Sequence, residues 1–522
     1  MPSYTAPGVY IEEIPKFPNS VVPVPTAIPA FIGYTPKAEH LGKSVYFKPQ
    51  RINSLLEFEQ IFLLPTPAQA VDSAKQYSPN YYVEPQSKKS TAPNCLDIAG
   101  ATYAILPDPS TIYYLYNSVR LFYQNGVGAA YIVSVGKYGP VKKKSLAGPT
   151  KQIVNPNVKL THLKKGLAAL KKEQEPTIYV CPDATLLSVA NNKSLMQAML
   201  QQAEAMQTAF CVFDVIGGDK PDSFGYSTDI QTFRDSVGVN SLKYGACYYP
   251  FVCTNIMQSG ELDFTNFFGG DITKLQSLLA PSPNSPASQV LLAIQNPPAN
   301  PLSNSQQQAA LLAVSPLYKT IFDLTLKSAN ILPACGAIAG VYKSVDDSRG
   351  VWKAPANVSL NNVVGLPIQL TDQQQDSLNV DSSAGKSINV IRSFAGKGIL
   401  IWGSRTLAGN DNEWRYVPVR RTITFIEQSI KQSLQAYVFE PNDANTWVKV
   451  RATIENFLTN LWRQGAFQGA KPEHAFFVSV GLGNTMTADD ILNGMMRIQI
   501  GVAIVRPAEF IITSISQKMV SA

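Results

Sequence analysis

Histidine is almost missing from this chain of 522 residues: three occur, His40, His162 and His474, far apart in sequence. No H-x-E or H-E-x-x-H spacing is present, which excludes the usual histidine zinc sites. Cysteine is sparse too. Cys95, Cys181, Cys211, Cys247, Cys253 and Cys335 are scattered without a C-x-x-C pair, so a disulfide frame or thiolate metal centre is not expected and the thiols read as free and mostly buried. Charge is low: 16% of residues are Asp, Glu, Lys or Arg, against about 25% in ordinary soluble domains. A chain that buries much of its surface in an assembly tolerates that composition.

Long apolar runs are lacking as well, all well short of the roughly 18 residues of a membrane helix. The opening MPSYTAPGVYIEEIP has no basic region followed by an apolar stretch, and its prolines would break one. The expectation is a chain made and kept in the cytoplasm, with no membrane insertion. Nucleotide motifs fail on inspection. Gly-Lys-Ser occurs at 42–44 and 385–387, but a phosphate loop needs glycine where Lys37 and Val380 stand. Gly481-Leu482-Gly483 lacks the third glycine of a dinucleotide loop, and no G-x-S-x-G exists. No cofactor and no metal are expected.

The net charge of +7 is modest for the length, and no nucleic-acid partner is expected from it. One stretch is locally basic. Lys137 to Lys172 holds ten lysines and no acidic residue, without the aromatics that stack on single strands. It reads as a solvated face or linker, or as a charged subunit contact.

What is present divides into four parts. From Pro2 to about Gly33, prolines at 7, 15, 18, 23, 25 and 29 forbid helix and predict an extended arm. Residues 38–173 are tyrosine-rich and contain one strong helical pattern, TIYYLYNSVRLFYQNG, with Gly126 to end it. From Pro176 to Val252, strands PTIYVCPD, TAFCVFDV and YGACYYPFV alternate with helical stretches, the signature of a sheet covered by helices. Asp183 and Asp214 stand at strand C-terminal ends, where α/β enzymes place their sites, although aspartate there more often caps a turn or helix. A stretch from Ala280 to Gln308 with six prolines between Pro281 and Pro301 reads as an exposed loop or insertion. Two amphipathic helical stretches follow, VRRTITFIEQSIKQSLQAYVF at 419–439 and NDANTWVKVRATIENFLTNLWRQG at 442–465, then a capping-box start at Thr487/Asp490 and strand alternation at Ile498, Ile500, Val502 and Ile504.

Three phrases in the last part belong together: GVWKAPAN at Gly350–Asn357, SINVIRSFAGKGILIWGSRTL at Ser387–Leu407, and WRYVPVRRTITFIEQSI at Trp414–Ile430. With GVAIVRPAEFIITSI at Gly501–Ile515 and the opening YTAPGVYIEE, they resemble contractile tail sheath proteins over both ends of the chain and roughly its C-terminal third. The residues carrying the likeness are Gly350, Trp352, Lys353, Pro355, Asn357, Arg392, Trp402, Gly403, Arg405, Trp414, Arg420, Arg421, Pro507 and Glu509. Arg392, Arg415, Arg420 and Arg421 are candidates for ion pairs, between subunits or in the core, and Trp352 and Trp414 for core anchors.

The resemblance implies a multidomain α/β (mixed α+β) fold. Residues 1–33 would be an extended arm joining the assembly domain. Residues 34–334 would form outer domains, with an α/β part at about 176–252 and the Pro/Asn/Gln/Ser-rich insertion at about 256–310. Residues 335–522 would be the assembly domain, ending in an arm at 509–522. It also implies a non-enzymatic subunit that polymerises as stacked hexameric rings around an inner tube, contracts, and meets baseplate and terminator or cap proteins. The arms would add β-strands to neighbouring copies through Tyr4, Val9, Tyr10, Ile11, Phe510, Ile511, Ile512 and Ile515. The Asp489–Arg497 helix, or its neighbour, is a candidate to face the tube. Two other readings stand beside this one: an α/β enzyme with a site near Asp183 and Asp214, and a static tail or tube component.

Overall fold

The structure, a computed structural model, describes residues 20–510 except 69, 71, 73, 91, 143–145, 147, 149–150 and 221–225. It divides into two compact units: Pro25–Arg421, and the chain ends up to Val24 and from Thr422 onward.

The larger unit is organised by a nine-stranded sheet. Its strands are β1 Pro29–Gly33, β2 Gln50–Ile52, β3 Ala130–Ser134, β4 Ile178–Val180, β5 Phe210–Asp214, β6 Gly245–Tyr249, β7 Val358–Ser359, β8 Asn389–Phe394 and β9 Gly398–Trp402. Their spatial order is β7-β9-β8-β6-β5-β4-β1-β3-β2. The six inner strands from β8 to β3 run parallel, and antiparallel strands close both margins. Sequences such as PAFIG, AYIVS and GACYY are apolar without alternation and buried throughout, as strands covered on both faces must be.

Both faces are covered by helices. Phe31 points to the Leu115–Asn125 helix, its ring 5.6 Å from that of Phe122. The next residue, Ile32, points the other way, where a Cβ added to Gly166 of the Leu160–Ala169 helix would lie 3.0 Å from it. On the first face, the Leu115–Asn125 and Cys335–Arg349 helices cross backbone to backbone. A Cβ on Gly336 would overlap the carbonyl oxygen of Ser118, and one on Gly340 would stand 2.7 Å from that of Phe122. Glycines four apart in CGAIAG therefore set the distance of that crossing.

The mixed α/β class holds, with three corrections to the sequence reading. Pro29–Gly33 is not arm: it is β1, hydrogen-bonded on both sides to β3 and β4. Proline is tolerated at the first position of a strand, and the other four residues carry the apolar pattern. The Ala280–Gln308 stretch is not all loop: it holds the helix Pro286–Gln295 and the start of a second, Asn304–Val314. Pro286 takes the first helical turn, where its missing N–H costs nothing, and Ser285 and Ser303 cap the two N-termini while Leu291 and Leu311 are buried. The chain divides at 24/25 and 421/422, not at 33/34 and 334/335, because β1, β8 and β9 belong to one sheet. No single helix among the described residues is long and apolar enough to cross a membrane.

Candidate functional site

In the smaller unit, the Ala444–Arg463 helix starts at Asp443, whose carboxylate accepts from Thr446 N at 2.9 Å, and buries Val450, Ile454, Phe457, Leu458 and Leu461. Phe457 meets Phe425 of the Val417–Leu434 helix at 6.0 Å. Against it lies a two-stranded antiparallel sheet, β10 Phe476–Val480 and β11 Ile498–Val502. Val478 is buried, while Phe477 on the opposite face is 53% exposed and lies across Gly501.

Two strands alone are marginal, and β11 shows where a third belongs. Ala503 N donates to Ala475 O at 2.8 Å, Ala503 O accepts from Gln468 N at 2.7 Å, and Val505 N donates to Ala466 O at 3.1 Å. Residues 503 and 505 thus turn their backbone groups inward. Strand alternation then turns those of Ile500, Val502 and Ile504 outward, onto an edge with no strand beside it among the described residues. Such an edge is a template for another chain.

The chain's N-terminal side reaches this unit along the helix. In VPVP, residues 22–25, Pro23 and Pro25 have no N–H, so the donors are Val22 and Val24. Val22 N donates to Ser433 Oγ at 3.2 Å and Val24 N to Ser429 Oγ at 3.1 Å, while Val21 is buried. The predicted arm residues Tyr4, Val9, Tyr10, Ile11, Ile511, Ile512 and Ile515 lie outside the described residues; Phe510 is 69% exposed.

The expected capping box is present: Thr487 Oγ1 accepts from Asp490 N, and Asp490 accepts from Thr487 N. The Thr487 N–H and the Arg497 guanidinium hold the Asp490 carboxyl below its usual range. The helix is shorter than the predicted 489–497, ending after five residues, Ala488–Leu492.

The phrase residues of the larger unit build structure around one end of the sheet. Gly350 (φ 89°) ends the Cys335–Arg349 helix and a Cβ there would strike the half-buried Trp352. Asn357 (φ 56°) donates its N–H to Ile401 O at 2.8 Å. Lys353 Nζ donates to Ala354 O, and Pro355 is buried beside it in sequence. Trp402 packs on Phe394 at 4.5 Å, Gly403 abuts Asn389, and the Arg405 N–H donates to Asn389 Oδ1 at 2.7 Å. Arg392 pairs with Asp372. Arg420 lies over the rings of Trp414, itself half-buried, and Tyr244, at 4.5 and 5.1 Å. Arg421 pairs with Asp346 in the interior. Pro507 and Glu509 are half-buried in the smaller unit.

Asp183 and Asp214 are buried and committed. Asp183 accepts from Tyr34 N at 2.8 Å and Tyr114 N at 2.7 Å, at the start of the Leu115–Asn125 helix. Asp214 accepts from Cys335 N at 3.1 Å, at the start of the Cys335–Arg349 helix. Each carboxylate thus faces the positive end of one of the two crossing helices. Burial raises both pKa values to about 6. The crevice between β1 and β4, where an α/β enzyme would open a site, is filled by Asp183, Leu115 and Tyr34. Sequence proximity pointed to capping of the following turn; the capped helices lie far off in sequence. The described cysteines are all free.

Two family models match the chain: the phage tail sheath protein central domain over residues 157–407, and the phage tail sheath C-terminal domain over 409–518. Among curated proteins, the tail sheath protein of Vibrio phage KVP40 is 25% identical over 144 residues, 28% of this chain and 21% of that protein. That of Burkholderia phage BcepMu is 27% identical over 156 residues, 29% of this chain and 32% of its own length. The matches span between about a fifth and a third of these relatives. Among solved structures, a chain of the anti-feeding prophage helical sheath in the contracted state is 29% identical, with TM-score 0.56, over 99% of this chain and all of that one. A chain of the PVC sheath complex of an extracellular contractile injection system, contracted, is 26% identical, with TM-score 0.57, over 99% of both.

Proposed function

Since this chain belongs to the phage tail sheath protein family, we propose that it is the sheath subunit of a contractile injection particle. Copies stack as hexameric rings around an inner tube in an extended arrangement of higher free energy. A trigger at the baseplate releases them into a shorter, wider lattice that drives the tube through a target envelope. Two packings of one lattice are a bistable element of the kind switching proteins use. The chain assembles in the cytoplasm and then forms part of a phage tail or tail-like particle, with the tube, baseplate and terminator proteins as partners and no catalytic step.

The observation that supports this reading is the edge of β11, which carries no strand among the described residues. Extended segments of neighbouring copies, Tyr4–Ile14 and Glu509–Lys518, add strands to the two-stranded sheet. Between Pro7 and Pro15 the run Gly8–Ile14 has seven residues, the length of the edge from Ile498 to Ile504. At about 0.5–1.5 kcal/mol per hydrogen bond, about eight bonds contribute roughly 4–12 kcal/mol per subunit, which tethers copies while their rigid units slide. The Ala488–Leu492 helix and the turn to Arg497 face the tube.

Electron microscopy of the purified chain, with and without its tube protein and before and after mild denaturant, tests the reading. Striated hollow cylinders of two lengths and diameters support it. Small monodisperse particles under every condition reject it.

A further inference from the structure

A basic face on the larger unit lies outside the strand and helix to which strand exchange and tube contact are assigned above. The Leu160–Ala169 helix buries Leu163, Gly166 and Leu167 and turns Lys164 and Lys165 outward. Lys159 precedes it, Lys171 and Lys172 follow it, and all five lysines are exposed. Lys165 Nζ stands 4.2 Å from the Phe47 ring centroid, which places the exposed Lys48 beside the same helix. None of these six lysines is ion-paired among the described residues. The neighbouring carboxylate of Glu175 is already held by Arg51 at 2.9 Å and by the Tyr131 hydroxyl at 2.7 Å. The ammonium groups act together: Lys159 and Lys165 both add to the burial that lowers the pKa of His162. The asymmetry extends to the whole chain. Pro25–Arg421 has 35 basic and 27 acidic residues, net +8, whereas the remaining residues have 9 and 10, net −1.

We propose that this lysine face docks peripherally on the headgroup plane of an anionic lipid bilayer. The cations are all lysines, point charges suited to diffuse headgroup charge, with no arginine fork for bidentate phosphate capture. No exposed aromatic stands among them to stack on bases, which favours a membrane over single-stranded nucleic acid. Attraction of this kind is weak for one copy and grows steeply when many copies present the same face. Vesicle binding by a single copy stands apart from the sheath reading; the gain on assembly rests on it.

The test is co-sedimentation of the full chain with vesicles of phosphatidylcholine alone and of phosphatidylcholine mixed with phosphatidylglycerol. Binding to the mixed vesicles is expected, falling at least about tenfold at high salt. Replacing Lys159, Lys164, Lys165, Lys171 and Lys172 together by Gln lowers it at least about tenfold. The pair Lys171→Gln with Lys172→Gln, away from the Phe47 ring, lowers it at least about threefold and guards against misfolding of the larger variant. Equal binding to phosphatidylcholine alone, or binding unchanged in the pair variant, overturns the proposal. So does displacement from the vesicles by duplex DNA at equal charge, which would reassign the face to nucleic acid. Loss of polymerisation in the lysine variants would make it a subunit contact instead. A chain that binds anionic vesicles as a single copy but never forms cylinders refutes the sheath reading and leaves this one standing.

Discussion

Arg421 grips Asp346 with both arms of its guanidinium: Nη1 lies 3.0 Å from Oδ1 and Nη2 2.5 Å from Oδ2, with the two side chains 3% and 1% exposed. Nη2 also donates to Thr26 O at 3.0 Å, and the guanidinium lies 4.5 Å from the Tyr342 ring. One side chain therefore fixes the start of the Val417–Leu434 helix, the end of the Cys335–Arg349 helix and the segment leading into β1.

Breaking a buried pair strands a charge, which costs about 3–5 kcal/mol, whereas replacing both partners by apolar groups is often nearly neutral. Arg421→Met and Asp346→Leu should each lower the urea midpoint of the larger unit strongly, and the double variant should recover most of the loss. Arg421→Lys should fall with the single variants, because lysine cannot serve Asp346 and Thr26 in a planar fork. Equal and additive losses would show that the pair carries no coupling.

The crossing of the Leu115–Asn125 and Cys335–Arg349 helices gives a second expectation. At Gly340 a methyl group meets Phe122 O and Asn125 Cβ, both at 2.7 Å, so Gly340→Ala must push two backbones apart. Overpacking of this kind costs about 1–3 kcal/mol, read as a drop in thermal midpoint. Gly260→Ala, with nothing within 4 Å of the added carbon, should stay within about 0.5 kcal/mol.

How far the sequence carried the fold follows from which contacts are local. Gly126 ending a helix, the strand and helix alternation from Pro176 to Val252, and the Thr487/Asp490 capping box are all written within a few residues, and each stands where its pattern put it. Pro29–Gly33 was misread because its partners, Ala130–Ser134 and Ile178–Val180, are about 100 and 150 residues away, while the prolines before it dominate any local window. Asp183 caps a helix that starts at Leu115, so nothing near Asp183 in sequence announces it. The Pro286 and Ser303 helices were legible in principle, through a Ser-Pro start and a Ser-x-x-Gln capping box, but the density of prolines masked both. That β11 carries no strand on its outer edge among the described residues could not be read at all, since such a strand looks like any other in sequence.

The pH dependence of stability should carry the signature of Asp183. Burial raises its folded pKa to about 6 from an ordinary 3.8, so the folded state binds the proton more tightly than the unfolded chain. Its contribution is therefore fully present below about pH 4 and lost as pH rises through 6. At 1.36 kcal/mol per unit, the swing is about 3 kcal/mol. Asp183→Asn removes the titration, so the difference in urea midpoint between parent and variant should change between pH 4 and pH 7, with the parent gaining at the acid end. A constant difference across that range would show that Asp183 does not titrate there. Asp214, raised to about 6 by the same cause, should behave alike in Asp214→Asn.

The last expectation separates assembly from folding at adjacent residues. Val502 turns its N–H to the open edge, whereas Ala503 donates its own to Ala475 O. Proline at 502 removes a donor that no group among the described residues accepts and puts a ring where an added strand must pair. Val502→Pro should leave the denaturation midpoint of the unassembled chain within about 1 kcal/mol of the parent and abolish polymerisation, measured by sedimentation and electron microscopy. Ala503→Pro breaks an existing bond within the unit and should cost about 3 kcal/mol before any assembly begins. If Val502→Pro formed cylinders as readily as the parent, strand addition along β11 would not be what joins the subunits. The contrast with Ala503→Pro excludes the trivial explanation, that proline anywhere in this strand unfolds it.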